Sequence, residues 1–484
     1  MNKGDKRKQW TGRRVLVAGA AASGQAVAAV LRRLGASVLV ADSADTPELR
    51  RVKKRLEKLG AEVMLGAKEA PPGAFDYVVT SPGVPANCGL LERARRDGTP
   101  VIGELELGWQ LAGKPAVAIT GTNGKTTTTE LTAQALTAGG VRTVAAGNIG
   151  LPVCEVAVKA DNLDWLVLEV SSFQLETISE FHPEIAVLMN ITPDHFDRYS
   201  GMDEYIRAKG RIFLNQSGDD WAVVQLEALA QLRSAGTRIN SRLITFSALD
   251  AGGDLALEGS RIVCRKDPWK GEWLDMRRCK LAGPHNAENL MAALAASRIL
   301  NLPQGPVIEA LCSYKPAPNR CELVAVIGGV KYINDSKATN VDAVAKAILT
   351  LSAAAERKPG IWLIAGGKDK KFDYGEIGQL LARHVRGAFL IGETAQKIYA
   401  AWNPFIPCEL AGELENAVKM AHQKAKAGEI VLLSPACSSF DQFRNYEHRG
   451  DVFRKTVLGL QDTTNCGCNL GGTQHNGGAT IKLP

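Results

Sequence analysis

At 484 residues the chain exceeds what one hydrophobic core normally serves, so two to four domains are expected. Apolar residues at 45% and charged residues at 23% give a globular balance, and no apolar run approaches membrane-span length, so no membrane partner is expected. The net charge of +7 is diffuse, and the one basic cluster (Lys3, Lys6, Arg7, Lys8, Arg13, Arg14) lacks interleaved aromatics, which reads as a short solvated tail and argues against nucleic acid.

That basic start with Val15–Ala22 imitates a secretory signal, but Gly19 and Gly24 break the run and a strand–helix–strand rhythm follows. The ten cysteines form no C-x-x-C pair, and Cys466 and Cys468 are the only close pair in sequence. Reduced thiols in a cytoplasmic protein are expected, without a zinc site or disulfide framework.

Residues 13–42 read as strand (Val15–Ala18), glycine turn, helix (Ser23–Leu34), strand (Val38–Ala41), then Asp42, a Rossmann-like opening. Ala21 stands where a dinucleotide fingerprint has its second glycine, which favours a nucleotide-diphosphate site at the same helix N-terminus over a nicotinamide cofactor. Asp42 can hold a ribose or cap the next turn. A strand at Tyr77–Thr80 leads into Ser81-Pro-Gly-Val-Pro85, and helical stretches Leu90–Arg96 and Val101–Leu111 close this part near Gly113.

An apolar run, Pro115–Ile119, then enters the turn Gly121-Thr-Asn-Gly-Lys-Thr126 and a helix that Gly139-Gly140 stops. Strand, glycine turn with Lys-Thr, and helix make a phosphate loop. Amides and the helix N-terminus face the anion, Lys125 adds charge, and the Thr126 hydroxyl can ligate Mg²⁺. The glycine spacing departs from the generic pattern, which would place glycine at Ile119. A strand at Val141–Ala145 precedes the loop Gly147-Asn-Ile-Gly150. Two further apolar strands follow, Trp165–Val170 with Glu169 near its end, and Ile185–Met189 leading to Asp194-His195.

Ligands of open parallel sheets sit outside the carboxyl ends of the strands, so one strand order could gather the Lys-Thr turn, Glu169 and His195. A carboxylate there is costly to bury unpaired, and Glu169 reads as a cation ligand. His195 alone reads as a turn histidine, and Lys209, in the amphipathic helix Met202–Leu214, as a solvent-facing charge. Residues 221–280 read as a small antiparallel addition, Gly283–Asn289 opens an alanine-rich helix whose His285 or Asn286 could reach a base, and Tyr314–Arg320 reads as a linker.

The βα rhythm resumes with strands at Val324–Ile327, Lys331–Asn334, Ile361–Ala365, Ala388–Ile391 and Ile430–Leu433. Polar clusters at 335–340, 366–370 and 434–440 sit at strand ends and suggest a ligand-facing rim. The expected fold is α/β with three domains: Rossmann-like 1–112, a central P-loop ATPase-like 113–318 with a mostly parallel sheet, and Rossmann-like 319–461, before a disordered tail at 462–484.

The pattern from about Arg13 to about Leu460 resembles the Mur ligase family, ATP-dependent amide-forming ligases of peptidoglycan precursor synthesis. Gly121–Thr126 is similar to that family's ATP loop, odd spacing included. Leu168-Glu-Val-Ser-Ser-Phe-Gln-Leu175 and Leu433-Ser-Pro-Ala-Cys-Ser-Ser-Phe-Asp-Gln-Phe443 resemble its D-glutamate-adding branch. The Asp-Asn-Pro-Arg segment expected of the lysine- and diaminopimelate-adding branches is absent from the sequence.

The resemblance implies a monomer acting on UDP-N-acetylmuramoyl-L-alanine and D-glutamate with ATP and two Mg²⁺. It implies catalytic roles for Lys125, Glu169, His195 and Lys209, the last carrying a CO₂-derived carbamate, and metal contacts from Thr126, Glu169, His195 and Lys209. Nucleotide contacts are implied for Gly121, Thr122, Asn123, Gly124, Lys125, Thr126, Thr127, Asn286, Arg320 and Asp335. Substrate contacts are implied for Asn148, for Ser23 and Asp42 in a uridine site, for Lys337 and Thr339 bordering the amino-acid pocket, and for Lys370, Ser439, Phe440 and Tyr446 around the D-glutamate carboxylates. Two positions depart from the family pattern: Asn319 where histidine is expected, and Tyr446 in place of phenylalanine. The rival readings are a sister or folylpolyglutamate-type ligase for another amino acid, a nicotinamide oxidoreductase resting on the opening βαβ alone, and a non-enzymatic nucleotide switch.

Overall fold

The computed structural model describes residues 7–85, 87–196, 198–352 and 359–466. The chain forms two compact units, Met1–Lys315 and Pro316–Pro484, and the division falls inside the proline-bearing stretch expected as a linker.

The first unit contains two sheets. One is wholly parallel, in the order β3-β2-β1-β4-β5, built from β1 (Arg14–Ala18), β2 (Ser37–Asp42), β3 (Glu62–Leu65), β4 (Tyr77–Thr80) and β5 (Val101–Gly103). This is the doubly wound order without its sixth strand, with its crevice between β1 and β4. Val101–Gly103 is a strand, so the helix expected from Val101 starts only at Glu104; Val101 and Ile102 complete the sheet edge instead. The basic start is no solvated tail throughout. Trp10 is buried against Tyr77, and Asp76 takes a 2.8 Å bond from the Arg13 guanidinium and another from the Arg14 amide.

The second sheet runs β14-β13-β12-β11-β10-β9-β6-β8-β7. Its strands are β6 (Ala116–Thr120), β7 (Thr143–Gly147), β8 (Trp165–Glu169), β9 (Ile185–Leu188), β10 (Trp221–Gln225), β11 (Arg242–Ser247), β12 (Leu255–Glu258), β13 (Arg261–Cys264) and β14 (Gly271–Asp275). Only β12–β13–β14 are antiparallel; β10 and β11 extend the parallel sheet, so the expected antiparallel addition is smaller than 221–280. Every residue of β6 is buried, because helices cover both faces of a central parallel strand. The period-2 alternation is explicit. Ala116, Ala118, Leu166, Leu168, Ala186 and Leu188 enter one core, and Val117, Ile119, Val167 and Val187 the other.

The first of those cores also contains Val15, Val17, Leu105, Leu107 and Leu111, so the two sheets share apolar packing through helix Glu104–Ala112. Each of those three leucines contributes about 2 kcal/mol by burial. Glu106, fully buried on the same helix, accepts the amides of Ser179, Glu180 and Phe181 at 2.8, 3.1 and 3.0 Å and fixes that turn.

The second unit holds β15 (Glu322–Ile327), β16 (Val330–Asn334), β17 (Ile361–Gly366), β18 (Val385–Ile391), β19 (Cys408–Gly412) and β20 (Ile430–Leu433), in the order β15-β16-β20-β17-β18-β19. Only β15 is antiparallel to its neighbour. The last helix, Tyr446–Cys466, runs past the expected boundary at 461, and the rest of the expected tail lies outside the described residues. Among the described residues no helix is long and apolar enough to cross a membrane.

Candidate active site

In the run β9-β6-β8-β7 all strands are parallel, so their carboxyl ends share one edge. Register sets them level: Ile119 pairs with Glu169, Gly147 with Glu169, and Thr120 with Leu188. The turn after β6, Asn148 after β7, Glu169 on β8 and His195 after β9 are thereby brought to one edge.

The turn at 121–124 requires its glycines. A Cβ at Gly121 would lie 2.9 Å from Met189 Cβ, and one at Gly124, where φ is 85°, would lie 2.6 Å from Asn289 Oδ1. Asn190 fastens the turn. Its carbonyl accepts the Thr122 amide at 2.9 Å, its Oδ1 accepts the Asn123 amide at 2.8 Å, and its Nδ2 donates to Asn123 O at 3.0 Å. Those two loop amides are committed, so an anion would meet the first turn of helix Lys125–Ala138, which has no side-chain cap. The half-buried Thr126 and buried Thr127 lie in that turn. Thr128 donates to Asn289 Oδ1 at 3.0 Å, and Asn289 donates to Asn286 Oδ1 at 3.1 Å, which ties Asn286 to the helix that carries the loop.

Lys125 Nζ folds back to donate to the carbonyls of Gly121 (2.9 Å) and Thr122 (2.8 Å), and Lys209 Nζ donates to the same Gly121 carbonyl at 2.7 Å. Two lysine nitrogens converge beside the helix N-terminus. Lys209 is 1% exposed and lies 4.6 Å from the Tyr205 ring centre, so the solvent-facing reading of this lysine is wrong: it occupies the inner face of its helix. Burial first, then the Lys125 charge, hold its amine well below the usual lysine range. Glu169 is 2% exposed. Its Oε1 accepts Asn148 Nδ2 at 2.7 Å, while its buried Oε2 has no partner among the described residues. His195 has φ 59°, its amide donates to Asp194 Oδ1 at 2.8 Å, and its ring packs edge-on to Phe173 at 4.7 Å.

On the five-stranded sheet, both Asp42 oxygens accept amides, from Ala20 at 2.8 Å and Ala44 at 2.9 Å, which is the turn-capping arrangement; Ser23 is half-buried in the helix after β1.

In the second unit the order β16-β20-β17 joins the three polar clusters. Ser434 Oγ donates to Asp335 Oδ2 at 3.0 Å, Gly366 N to Pro435 O at 2.8 Å, and Lys368 N to Ser438 O at 2.9 Å. Burial pushes Asp335 up to about 7, against the bonds from Ser434 and Cys321 and the Arg320 charge. Lys337 Nζ sits 3.8 Å from the Tyr446 ring centre, beside half-buried Thr339; Lys370 Nζ lies 5.8 Å from that of Phe372. Ser439 is buried and Phe440 exposed. Fully buried Arg449 binds Ser336 Oγ (3.0 Å), Ser336 O (2.9 Å) and Cys437 O (3.1 Å), bracing two of the clusters.

A family model described as the Mur ligase middle domain matches residues 119–297, and one described as the Mur ligase glutamate ligase domain matches 319–437. The UDP-N-acetylmuramoylalanine--D-glutamate ligase of Koribacter versatilis is 42% identical over 448 residues, covering 92% of this chain and 97% of that protein. The chain belongs to the Mur ligase family. The protein of the same name from Geobacter metallireducens is 41% identical over 451 residues, covering 93% of this Mur ligase and 98% of the relative. Two solved structures share the fold at 19% identity: a UDP-N-acetylmuramate-alanine ligase from Thermotoga maritima (TM-score 0.59, covering 93% of this chain and 99% of that one) and a pseudomurein peptide ligase type C from Methanothermus fervidus (TM-score 0.57, 93% and 100%). Family membership removes the oxidoreductase reading.

The residues of this Mur ligase fit a hard cation. Glu169 Oε2 is a buried anionic oxygen without a donor, aligned with the Thr126 turn by the β6–β8 register. Among the described residues no three His, Cys, Asp or Glu side chains gather as a ready-made metal cage. Sequence reasoning assigned no role to Asn190, Asn289, Tyr205 or Arg449. Asn190, directly after a buried strand and one strand away from the loop, was the most findable of the four.

Proposed function

We propose that this Mur ligase joins D-glutamate to the alanyl carboxylate of UDP-N-acetylmuramoyl-L-alanine, through an acyl phosphate and with release of ADP and phosphate, as a step in peptidoglycan precursor synthesis. The observation that carries this reading is the 42% identity across 97% of a ligase of that name. The level arrangement of the phosphate turn and Glu169, with Lys209 beside that turn, supports it.

The ATP γ-phosphoryl passes to the alanyl carboxylate; the D-glutamate amine attacks the acyl carbon, and phosphate leaves. Lys125 and the first-turn amides hold the phosphates and offset the charge that develops on them. Thr126, Glu169, His195 and Lys209 as its carbamate would hold two Mg²⁺, which when bound neutralise charge on the transferring phosphoryl group. Lys209 suits carbamylation because its buried amine is held toward neutrality. That neutral amine attacks CO₂, an N–C bond forms, one proton leaves, and the uncharged amine becomes an anionic carbamate. Asn286 and, in the second unit, Arg320 and Asp335 are assigned to the nucleotide. Lys337, Thr339, Lys370, Ser439, Phe440 and Tyr446 are assigned to D-glutamate, and Ser23, Asp42 and Asn148 to the UDP-sugar substrate.

The domain limits 1–112, 113–318 and 319–461 then separate substrate, ATP and amino-acid parts. We assign the protein to the cytoplasm as a monomer acting on small molecules, with neither nucleic acid nor membrane as a partner. The test is phosphate release from ATP with Mg²⁺ and UDP-N-acetylmuramoyl-L-alanine. D-Glutamate should stimulate it while L-glutamate, L-lysine and diaminopimelate do not. Stimulation by one of those others alone would overturn the assignment.

A further inference from the structure

Cys279 and Cys312 are 33 positions apart in sequence, yet their sulfurs lie 3.1 Å apart. Cys279 closes the 3-10 turn after β14, and Cys312 lies in the last turn of helix Gln304–Ser313. The backbones are already adjacent, since Lys280 N donates to Cys312 O at 3.3 Å. Both residues are half-buried at the edge of the second hydrophobic core, so neither is sealed from small solutes. Roughly 1 Å of sulfur motion separates the pair from a bond of ~2.05 Å.

From this juxtaposition we propose that Cys279 and Cys312 form an oxidation site, a vicinal dithiol that peroxide converts reversibly to a disulfide. The balance is two thiols and one hydrogen peroxide giving one disulfide and two waters. A thiolate of the pair attacks a peroxide oxygen and becomes a sulfenic acid with loss of water; the second sulfur then displaces that hydroxyl as water. Two electrons pass from sulfur to peroxide. Burial and the neighbouring sulfur push the Cys279 thiol up; either sulfur can make the first attack, and the other then resolves it.

The cross-link would join the segment entering helix Pro284–Ile299, which carries Asn286 and Asn289, to the end of the helix that leads into the 314–320 stretch. It thus ties the nucleotide side of the first unit to the start of the linker. Tyr314, two residues after Cys312, is already held there by its hydroxyl bond to Glu130. The inference stands independently of the ligase reading.

The test treats the full-length reduced protein with hydrogen peroxide, alkylates remaining thiols, and maps peptides by mass. The expected product is a 279–312 cross-linked peptide lighter by two hydrogens, formed before the other cysteines react and reversed by dithiothreitol. Its formation should raise the thermal midpoint, and Cys279→Ser and Cys312→Ser should each abolish both effects. Separately alkylated Cys279 and Cys312 while other thiols are oxidised, or over-oxidation to sulfinic acid without a cross-link, would overturn the proposal. The wild-type mass measurement decides even if a serine variant folds poorly.

Discussion

Replacing Glu169 with glutamine separates a ligand carboxylate from a structural one. In the folded chain its Oε1 accepts Asn148 Nδ2 at 2.7 Å, while Oε2 is buried without a donor. A buried polar group left unsatisfied costs about 1–3 kcal/mol, and more when charged. Glutamine keeps the shape and the Asn148 bond but exchanges an unpaired anionic oxygen for a neutral amide. The ligand-free variant should therefore be as stable as wild type or more stable by ~1 kcal/mol. With Mg²⁺-ATP at about a hundred times its Kd, wild type gains about 2.7 kcal/mol. The variant should lose most of that gain, and turnover should fall at least ~100-fold, since even outer-shell groups around metals carry effects of 10–100-fold. Thermal unfolding with and without Mg²⁺-ATP, together with D-glutamate-dependent phosphate release, reads both quantities. Wild-type turnover would refute the ligand role. So would a several-kcal/mol loss of ligand-free stability, which would make Glu169 a structural carboxylate.

Lys209→Ala should lose most turnover and recover part of it with added acetate, a carboxylate able to occupy the vacated space; a fully active variant would remove the carbamate from the mechanism. Gly124→Ala puts a Cβ 2.6 Å from Asn289 Oδ1 at φ 85°, so it should cost about 1–2 kcal/mol in the loop and weaken the Mg²⁺-ATP thermal shift, and an unchanged shift would contradict it. Glu104 tests burial on the amino side of the site. Desolvation raises it from 4.5 to about 7 despite the Cys154 amide at 2.7 Å. The folded state keeps this proton while the unfolded state loses it, so its contribution is full below pH 4.5 and declines, by roughly 3 kcal/mol, as pH rises to about 7. Glu104→Gln should remove that part of the slope in unfolding midpoints measured at acid and neutral pH; identical slopes would refute it.

The strands and the phosphate turn were legible because burial on both faces of a parallel sheet writes continuous apolar runs, and the turn's chemistry needs glycine and Lys-Thr in sequence. Elements that lack such a run were not. β3 exposes two of its four residues, β19 is an edge strand with exposed Leu410, and Val101–Gly103 merges without a break into the apolar helix after it. The same logic explains the site. Glu169 announced itself as a charge at the end of an apolar strand. Lys209 did not, because amphipathic periodicity cannot tell which cation of a helix turns inward; Arg207 on the same helix is exposed. The Cys279–Cys312 contact was invisible for another reason, being made by the packing of distant elements.

Backbone strain follows the same edges. Among the described residues six non-glycines have positive φ: His195 follows β9, Lys371 and Ala436 follow β17 and β20, Asn319 and Cys321 flank Arg320, and Asn301 follows helix Pro284–Ile299. Such conformations cost on the order of 1–3 kcal/mol each and persist only where neighbours over-determine them. Asn319 is held by the Asn334 side chain at 2.8 Å and by Glu322 at 2.9 Å, and the Ala436 amide by Ala338 O at 3.0 Å. The same constraint bears on residue 319. The position demands a left-handed residue, φ 67°, and asparagine and histidine are both among the side chains that tolerate it. The Asn319 side chain accepts from Asn334, which stands immediately before Asp335, and so helps hold the backbone around Arg320.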